Sequence, residues 1–375
     1  MRKKAVIFLR SNSIDPDPRV EKEALSLSKN DFNVIIVGWD REGDLPSYEK
    51  KEFGEIYRIK IKAKFGTGIK NIRHLLKWQI GLTVFLVKNR NIFDFIHACD
   101  FDTIIPALIC KAIYKKKVIY DIFDFYADML RNIPNLLRRI IRKLDLFLIG
   151  LTDAVIIADE SRKEQIKGSK PKRLVVIYNS PSKLESKNDF QYSSNLIIGY
   201  IGLLQKERGI LEMIDVVKTC PEWKLIIGGF GGDEDEIRKL CDLSDNIKFI
   251  GRVPYEIALN IYSKSTVLFA TYDPKISNHR FSSANKLFEA MMLGKPIIVA
   301  KNTGMDKIVE KYNLGFVVEY GNKQQIKDVL SELSKWGDDK KREFSNRVRM
   351  IYQENFSWEI MEKRLIDIYR RVELG

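Results

Sequence analysis

Seven short apolar runs recur through the first half of the chain: AVIFL (5–9), VIIVGW (34–39), IYRIKI (56–61), FDFIHA (93–98), KVIYD (117–121), AVIIA (154–158) and LVVIY (174–178). Each is bounded by longer segments whose apolar positions repeat at helical spacing. Short continuous aliphatic runs of this kind suit strands covered on both faces, and their alternation with helices predicts a mainly parallel sheet between two helical layers. The rhythm breaks at SPSKLESKNDFQYSSN (180–195), which is polar, turn-forming and without an apolar period. This segment reads as an interdomain linker. Alternation then restarts with LIIGYIG (196–202), WKLIIGG (223–229), NIKFIG (246–251), TVLFAT (266–271), KPIIVA (295–300) and GFVVEY (315–320). The expected fold class is therefore α/β, with two doubly wound, Rossmann-like domains facing across a cleft. Ligands are expected at the carboxyl ends of the strands and in that cleft.

Length agrees, since 375 residues exceed what one core usually spans. The opening MRKKAVIFLRS has only five apolar residues, Ala5 to Leu9, before Arg10, fewer than the apolar core of a signal peptide needs. The longest apolar candidates elsewhere, WQIGLTVFLV (78–87) and LFLIGL (146–151), stop short of the ~18 residues of a membrane span. Four cysteines, at 99, 110, 220 and 241, are too dispersed for a CxxC metal site. A reduced, cytoplasmic setting is expected.

Charge changes the picture by its placement. Residues 1–180 hold 34 Lys and Arg against 22 Asp and Glu (+12), whereas residues 181–375 hold 30 against 28 (+2). Such asymmetry allows nucleic acid, an anionic membrane or a phosphorylated substrate as partner. Nucleic acid is not expected, because the basic residues are not interleaved with aromatics as in an RNA motif.

Candidate chemistry concentrates in the second half. In SSANKLFEAMMLGKPIIVA (282–300) a lone carboxylate, Glu289, stands amid Leu287, Phe288, Met291 and Leu293 on a short helix that Ser283 is expected to cap and Gly294 to end. It either serves a ligand or lies on the solvent face of an amphipathic helix. Lys286 falls one turn earlier on the same face. In GYIGLLQKERGILEM (199–213), Gly202 closes a strand and Arg208 precedes a helix, an arrangement suited to a phosphate or to a plain exposed arginine. GGFGG (228–232) reads as a tight structural turn rather than a dinucleotide loop, because it follows the second strand of its domain and precedes four acids, Asp233 to Glu236. The DFD at 100–102 reads as routine capping aspartates. His97 and His279 have no nucleophile at a hydrolase-like elbow, and no catalytic triad is expected.

Taken together, YIGLLQKERG, NIKFIGRVPYEIALNIYSKSTVLFA, SSANKLFEAMMLGKPIIVA and FSWEIMEKRLIDIYRRV in the second half, with DPDPRVEKEALSLSKNDFNVIIVGWD, FIHACDFDTIIPALICKAIYKKKVIYD and RLVVIYNSP in the first, resemble glycosyltransferase family 4, whose members have the two-domain GT-B fold. The resemblance covers nearly the whole chain. It implies an N-terminal acceptor-binding domain over 1–180, a linker over 181–195, a nucleotide-sugar-binding domain over 196–355 and a C-terminal helix, 356–375, crossing back to the first domain. It also implies a hexosyltransferase moving a sugar from a nucleotide diphosphate sugar to a glycan or polyprenyl-linked acceptor, with retention of configuration. Neither a cofactor nor a metal is expected. In this family the residue matching Glu289 accepts hydrogen bonds from the ribose hydroxyls, the helix start at Ser282, Ser283 and Asn285 faces the diphosphate, Gly202 lets the donor approach, and Arg208 matches a phosphate-binding lysine.

Departures from the family pattern are specific. Phe281 stands where a first glutamate is usual, Ala284 where glycine is common, Leu203 where an arginine contacts phosphate, and Phe123 where a histidine often touches the donor sugar. Lys286 is expected to replace the lost phosphate charge, Phe123 and Phe281 to border the sugar, and Asp124 to contact the transferred sugar or the acceptor. Phe123 points to a donor with an apolar facing group. Two alternatives follow from the departures: a silent nucleotide-sugar-binding partner of another transferase, or a GT-B nucleotide-sugar 2-epimerase. Finally, IKNIRHLLKWQIGLTVFLVKNR (69–90) and NLLRRIIRKLDLFLIGL (135–151) mix basic and apolar residues at helical spacing. Either the apolar stripes pack on the sheet, or Lys70, Arg73, Lys77, Arg138, Arg139, Arg142 and Lys143 meet an anionic leaflet as a peripheral surface at the inner face of the membrane.

Overall fold

The computed structural model describes residues 3–63, 71–130, 133–182 and 195–375. The chain forms two compact units, Met1–Tyr178 with Met361–Gly375, and Asn179–Ile360. Most of the expected linker, residues 183–194, lies outside the described residues.

In the first unit the order is β1 (Ala5–Arg10), α1 (Pro18–Lys29), β2 (Asn33–Asp40), β3 (Tyr48–Lys51), β4 (Gly54–Lys60), α2 (Ile72–Lys88), β5 (Phe95–Cys99), α3 (Phe101–Tyr114), β6 (Lys117–Ile122), α4 (Tyr126–Met129), α5 (Asn135–Ile149), β7 (Ala154–Ile157), α6 (Arg162–Gln165) and β8 (Leu174–Val176). The strands pair as β3-β4-β2-β1-β5-β6-β7-β8. Ala5 to Leu9 of β1 are all buried, as a central strand between two helical layers requires. The sequence pattern missed β3, which pairs antiparallel with β4 at the sheet edge. Its YEKK is charged rather than apolar, the composition that protects an edge from further pairing. Helix α1 starts where the pattern demands: the Asp17 side chain accepts from the Val20 amide at 3.3 Å and Pro18 takes the first turn.

The second unit contains β9 (Ile197–Leu203), α7 (Ile210–Lys218), β10 (Lys224–Phe230), α8 (Glu234–Cys241), β11 (Ile247–Phe249), α9 (Tyr255–Lys264), β12 (Val267–Ala270), α10 (Asn285–Leu293), β13 (Ile297–Ala300), α11 (Met305–Tyr312), β14 (Gly315–Val318), α12 (Lys323–Ser334) and α13 (Asp338–Asn355). Its strands pair in parallel as β11-β10-β9-β12-β13-β14. Ile198, Tyr200, Ile227 and Phe269 of the sheet and Met213 and Ile214 of α7 belong to one buried cluster. The last helix, α14 (Trp358–Leu374), contributes its residues from Met361 onward to the first unit. There the Tyr369 ring lies 5.4 Å from both Phe32 and Phe95, and Arg364 Nη1 donates to the Val176 carbonyl at 3.0 Å.

Strand order reverses between β1 and β5 in one sheet and between β9 and β12 in the other. Adjacent connections then leave in opposite directions and open a crevice at the carboxyl ends of those strands. The candidate residues collect at these two ends.

Candidate functional site

In the second unit, β9 ends at Gly202 and Leu203, and a 3-10 turn, Lys206–Arg208, leads through Gly209 into α7. Gly209 has φ +70°, and a Cβ there would lie 2.0 Å from Thr271 Oγ1, so the turn presses against the residue that follows β12. This delivers Arg208 to the strand ends. Its guanidinium sits 4.5 Å from the centre of the Tyr272 ring, and Nε donates to Gln205 Oε1 at 3.3 Å. Arg208 is half-buried rather than an exposed helix-start residue.

Helix α10 brings the second cation. Lys286 is buried, with Nζ 4.0 Å from the centre of the Tyr200 ring. A Cβ on Gly202 would lie 2.6 Å from that Nζ, so the glycine is the space that the ammonium uses. Burial, with Arg208 adding repulsion, pulls the Lys286 pKa below the ordinary lysine value, against the opposing pull of Tyr272 and Glu289. One turn on, Glu289 is only 5% exposed, which excludes the solvent-face alternative. Partial burial, then this carboxylate, raises the Tyr255 pKa. Tyr262, whose hydroxyl donates to the Ile201 carbonyl at 2.6 Å, is raised by burial and by the same carboxylate.

The loop before α10 corrects one expectation. Ala284, not Ser283, occupies the N-cap, with no side-chain cap hydrogen bond. The Ser283 Oγ is enclosed instead, as are Thr271 Oγ1 and Asn278 Oδ1 on the same β12–α10 connection, and none of the three has a protein hydrogen-bond partner. Ser282 and Phe281 are half-buried, Phe281 in the 3-10 turn His279–Phe281. Asn285 is exposed, and its Oδ1 accepts from Asn179 Nδ2 at 2.9 Å. Helix α10 closes at Gly294 with φ +66°, where a Cβ would meet Ser345 Oγ at 2.2 Å. GGFGG is structural: a Cβ on Gly229 would lie 1.7 Å from the Gly202 carbonyl oxygen, and one on Gly231 2.2 Å from that of Leu204. The tyrosines at 200, 255, 262 and 272 carried no sequence signal as site residues, since aromatic positions in strands and helices read as core.

In the first unit the carboxyl ends of β1 and β5 hold a charge network. Asp100 corrects the capping expectation for DFD: it stands at the N-cap of α3 with φ +64° but makes no side-chain cap. Its Oδ1 accepts from the Phe123 and Asp124 amides at 2.9 and 3.3 Å, and its Oδ2 from Arg10. Burial pushes Asp100 up to about 7, against the pull of Arg10. Asp124 forms an ion pair with the buried Arg162 at 2.7 Å. The Phe123 ring lies 4.2 Å from the Arg10 guanidinium and 4.7 Å from that of Arg19. Candidates Phe123 and Asp124 thus belong to the first unit, and Gly202, Arg208, Phe281, Ser282, Ser283, Asn285, Lys286 and Glu289 to the second.

Deeper in that unit lies a fully buried cluster of Arg19, Glu23, His97 and Asp121. Arg19 reaches Asp121 at 3.0 Å and Glu23 at 3.1 Å, and the Tyr369 hydroxyl meets His97 Nδ1 at 2.7 Å. Burial, then the neighbouring Asp121, raises Glu23 well above the carboxylate range; burial also opposes the Asp121 charge, but Arg19 and His97 outweigh it and lower Asp121. Burial lowers His97. Ligand atoms of Glu23, His97 and Asp121 lie within 4.8 Å of one another, a spacing open to a metal, with the Arg19 guanidinium already paired to both carboxyls.

Residues 182–350 match the family model described as "Glycosyl transferases group 1". Among curated proteins, the chain is 28% identical over 163 residues to a GDP-mannose-dependent monoacylated alpha-(1-6)-phosphatidylinositol monomannoside mannosyltransferase of Corynebacterium glutamicum, covering 42% of each. It is 27% identical over 194 residues to the capsular polysaccharide biosynthesis glycosyltransferase CapM of Staphylococcus aureus, covering 50% of this chain and 49% of that one. The chain thus spans about half the length of these curated relatives or less. Among solved structures, it resembles sucrose-phosphate synthase from Thermosynechococcus elongatus, with a TM-score of 0.76 at 15% identity over 99% of this chain and 100% of the other. It also resembles Anabaena HepE in complex with UDP and glucose, with a TM-score of 0.73 at 16% identity over 97% and 99%. The fold is GT-B, and the unit that holds Arg208, Lys286 and Glu289 is the part of the chain that matches the glycosyl transferases group 1 model.

Proposed function

We propose that this chain is a hexosyltransferase that moves a sugar from a nucleotide diphosphate sugar to a glycan or polyprenyl-linked acceptor, with retention of configuration and without a metal. The observation that carries the reading is the convergence of Arg208 and Lys286 on the β9–β12 switch point, with the buried Glu289 one turn beyond Lys286. A diphosphate suits two half-buried or buried cations that no carboxylate neutralises within ion-pair distance among the described residues, and during transfer the same cations stabilise charge growing on the leaving nucleotide. Glu289 has two acceptor oxygens, enough to hold a pair of ribose hydroxyls beside Tyr255. Enclosed Ser283 Oγ and Thr271 Oγ1, without protein partners, supply further hydrogen bonds to a polar ligand at that end. The sequence resemblance supports retention and metal independence. In this reading Asp124 serves the acceptor side, and the chain works as a peripheral protein at an anionic cytoplasmic membrane face. Among the described residues no helix is long and apolar enough to cross a membrane.

The test is a panel of nucleotide sugars incubated with the full chain and a lipid-linked acceptor, read by nucleotide release. One donor class should turn over, and Glu289→Ala should lose nucleotide affinity with little loss of stability. Absence of nucleotide binding to the wild-type chain overturns the reading.

A further inference from the structure

An amphipathic helix on a sheet needs one apolar stripe, and three long helices of the first unit, α2, α3 and α5, carry two. Helix α2 buries Trp78, Leu82 and Leu86, yet Ile72, Leu76, Ile80 and Val84 form a second row at four-residue spacing that is 44–65% exposed. Helix α3 buries Ile104, Ala107 and Cys110 and exposes Ile105, Ile109 and Ile113. Helix α5 buries Leu148 and Ile149 and exposes Leu136, Ile140, Leu144 and Phe147, with Leu136 71% and Phe147 64% exposed. Helix α3 packs against both α2 and α5, so the three outer rows belong to one helical layer. Exposed apolar area of this extent on a folded protein marks an interaction surface.

The charges on this layer are of one sign. Arg73, Lys77, Lys88, Arg139 and Lys143 are exposed, whereas the only carboxylates on the three helices, Asp102 and Asp145, are buried. Two basic residues singled out from the sequence are half-exposed and engaged by the protein's own carbonyls. Arg138 Nη2 donates to the Leu130 carbonyl at 3.0 Å and Arg142 Nη2 to the Gln165 carbonyl at 2.7 Å, so both turn inward; Lys70 lies outside the described residues.

We infer that the outer face of α2, α3 and α5 is a docking surface for an anionic lipid bilayer, with the three apolar rows seated at the acyl boundary and Arg73, Lys77, Arg139 and Lys143 among the headgroups. The inference deepens the membrane part of the proposed function and rests on it. Charge complementarity selects the occupant: a second copy meeting this face through a two-fold axis would oppose cation to cation, while an anionic leaflet satisfies both the cations and the rows between them. Because apolar insertion shares the binding with charge, salt weakens it without abolishing it.

The experiment is co-sedimentation of the full chain with phosphatidylcholine vesicles, with or without phosphatidylglycerol. The wild type is expected to pellet with the anionic vesicles and at least tenfold less with the neutral ones. Ile80→Ser with Phe147→Ser, and separately Arg73→Glu with Arg139→Glu, should each lower the partition tenfold or more, while Arg142→Gln changes it less than twofold. Leu243→Ser, at a 74% exposed leucine of the second unit, is the control and leaves binding unchanged. Circular dichroism melting confirms that each variant is folded. Equal pelleting with both vesicle types, or indifference to both double variants, overturns the inference. So does failure to pellet together with a dimer by light scattering that the Ile80 and Phe147 changes dissociate, which would assign the face to a second copy. Nucleotide binding, measured without vesicles, fails or holds independently and so tests the donor reading alone.

Discussion

At the carboxyl ends of β1 and β5, and in the buried cluster beneath them, the chain satisfies its own charges. Arg10 lies between Asp17 and Asp100, Arg19 between Glu23 and Asp121, and Arg162 holds Asp124. At the carboxyl ends of β9 and β12, in the other unit, it does not. Arg208 and Lys286 repel one another, rest on tyrosine rings, and form no ion pair among the described residues, while Lys286 is held below its ordinary pKa. Two sheets with the same kind of switch point therefore yield one end locked by internal pairing and one end whose two cations form no ion pair among the described residues. Pairing serves cohesion of the first unit. Burying a charge without an ion-pair partner disfavours the charged form, and in the proposed function an arriving diphosphate supplies that partner.

The comparison is broken most directly at its locked end. Arg19→Leu leaves the Asp121 charge without its guanidinium and should cost about 3–5 kcal/mol of stability in chemical denaturation. A loss below ~1 kcal/mol would mean that the network is not ion-paired.

Next is Asp145 on α5, buried, accepting from the Tyr120 hydroxyl at 2.9 Å and pushed up to about 7 by burial. The folded state holds this proton more tightly than the unfolded chain, so the contribution is full below about pH 4 and is lost as pH rises towards 7. Asp145→Asn, which keeps an acceptor for Tyr120, should gain stability relative to wild type between pH 4 and 8, by at most ~4 kcal/mol. A flat difference across that range would place the proton elsewhere.

At the open end, Arg208→Ala and Lys286→Ala should each weaken binding of a nucleoside diphosphate by about 1.5–3 kcal/mol, the worth of a charge-assisted hydrogen bond, and leave the bare nucleoside nearly unaffected. Equal losses for both ligands by calorimetry would make these residues structural. Smallest is Gly202→Ala. The new Cβ presses on the far end of the Lys286 side chain at 2.6 Å and on no backbone, so stability should change by less than ~1 kcal/mol while diphosphate affinity falls; Gly229→Ala, which meets backbone at 1.7 Å, should destabilise the unit instead. Unchanged affinity in Gly202→Ala would show that Lys286 does not hold the phosphate from that position.

Much of the fold was legible because parallel strands buried on both faces must be aliphatic throughout. AVIFL and LIIGYIG could be little else, and the polar break at 180–195 separated two such series. YEKK was not legible, since an edge strand is held by backbone pairing that leaves no apolar trace. In the site, the spacing of Lys286 and Glu289 placed them on one helical face, and Gly202 and Arg208 were marked by residue type. Ser283 was misread as a cap because a hydroxyl before an apolar run satisfies that pattern whether or not the backbone turns there.

By itself, then, the sequence determined the alternation of strand and helix, the two-unit division and the residue types from which the proposed diphosphate site is drawn, because all three follow from local periodicity and chemistry. Tertiary structure decided what each charge faces. His97 and Tyr369 are 272 positions apart and touch only because β5 and α14 pack together, and Arg19 meets Asp121 across 102 positions for the same kind of reason. It also decided which apolar rows are core. Ile80 and Leu82 both read as apolar helix positions, but the sheet has room behind only one side of α2, so Leu82 is buried and Ile80 is left facing outward.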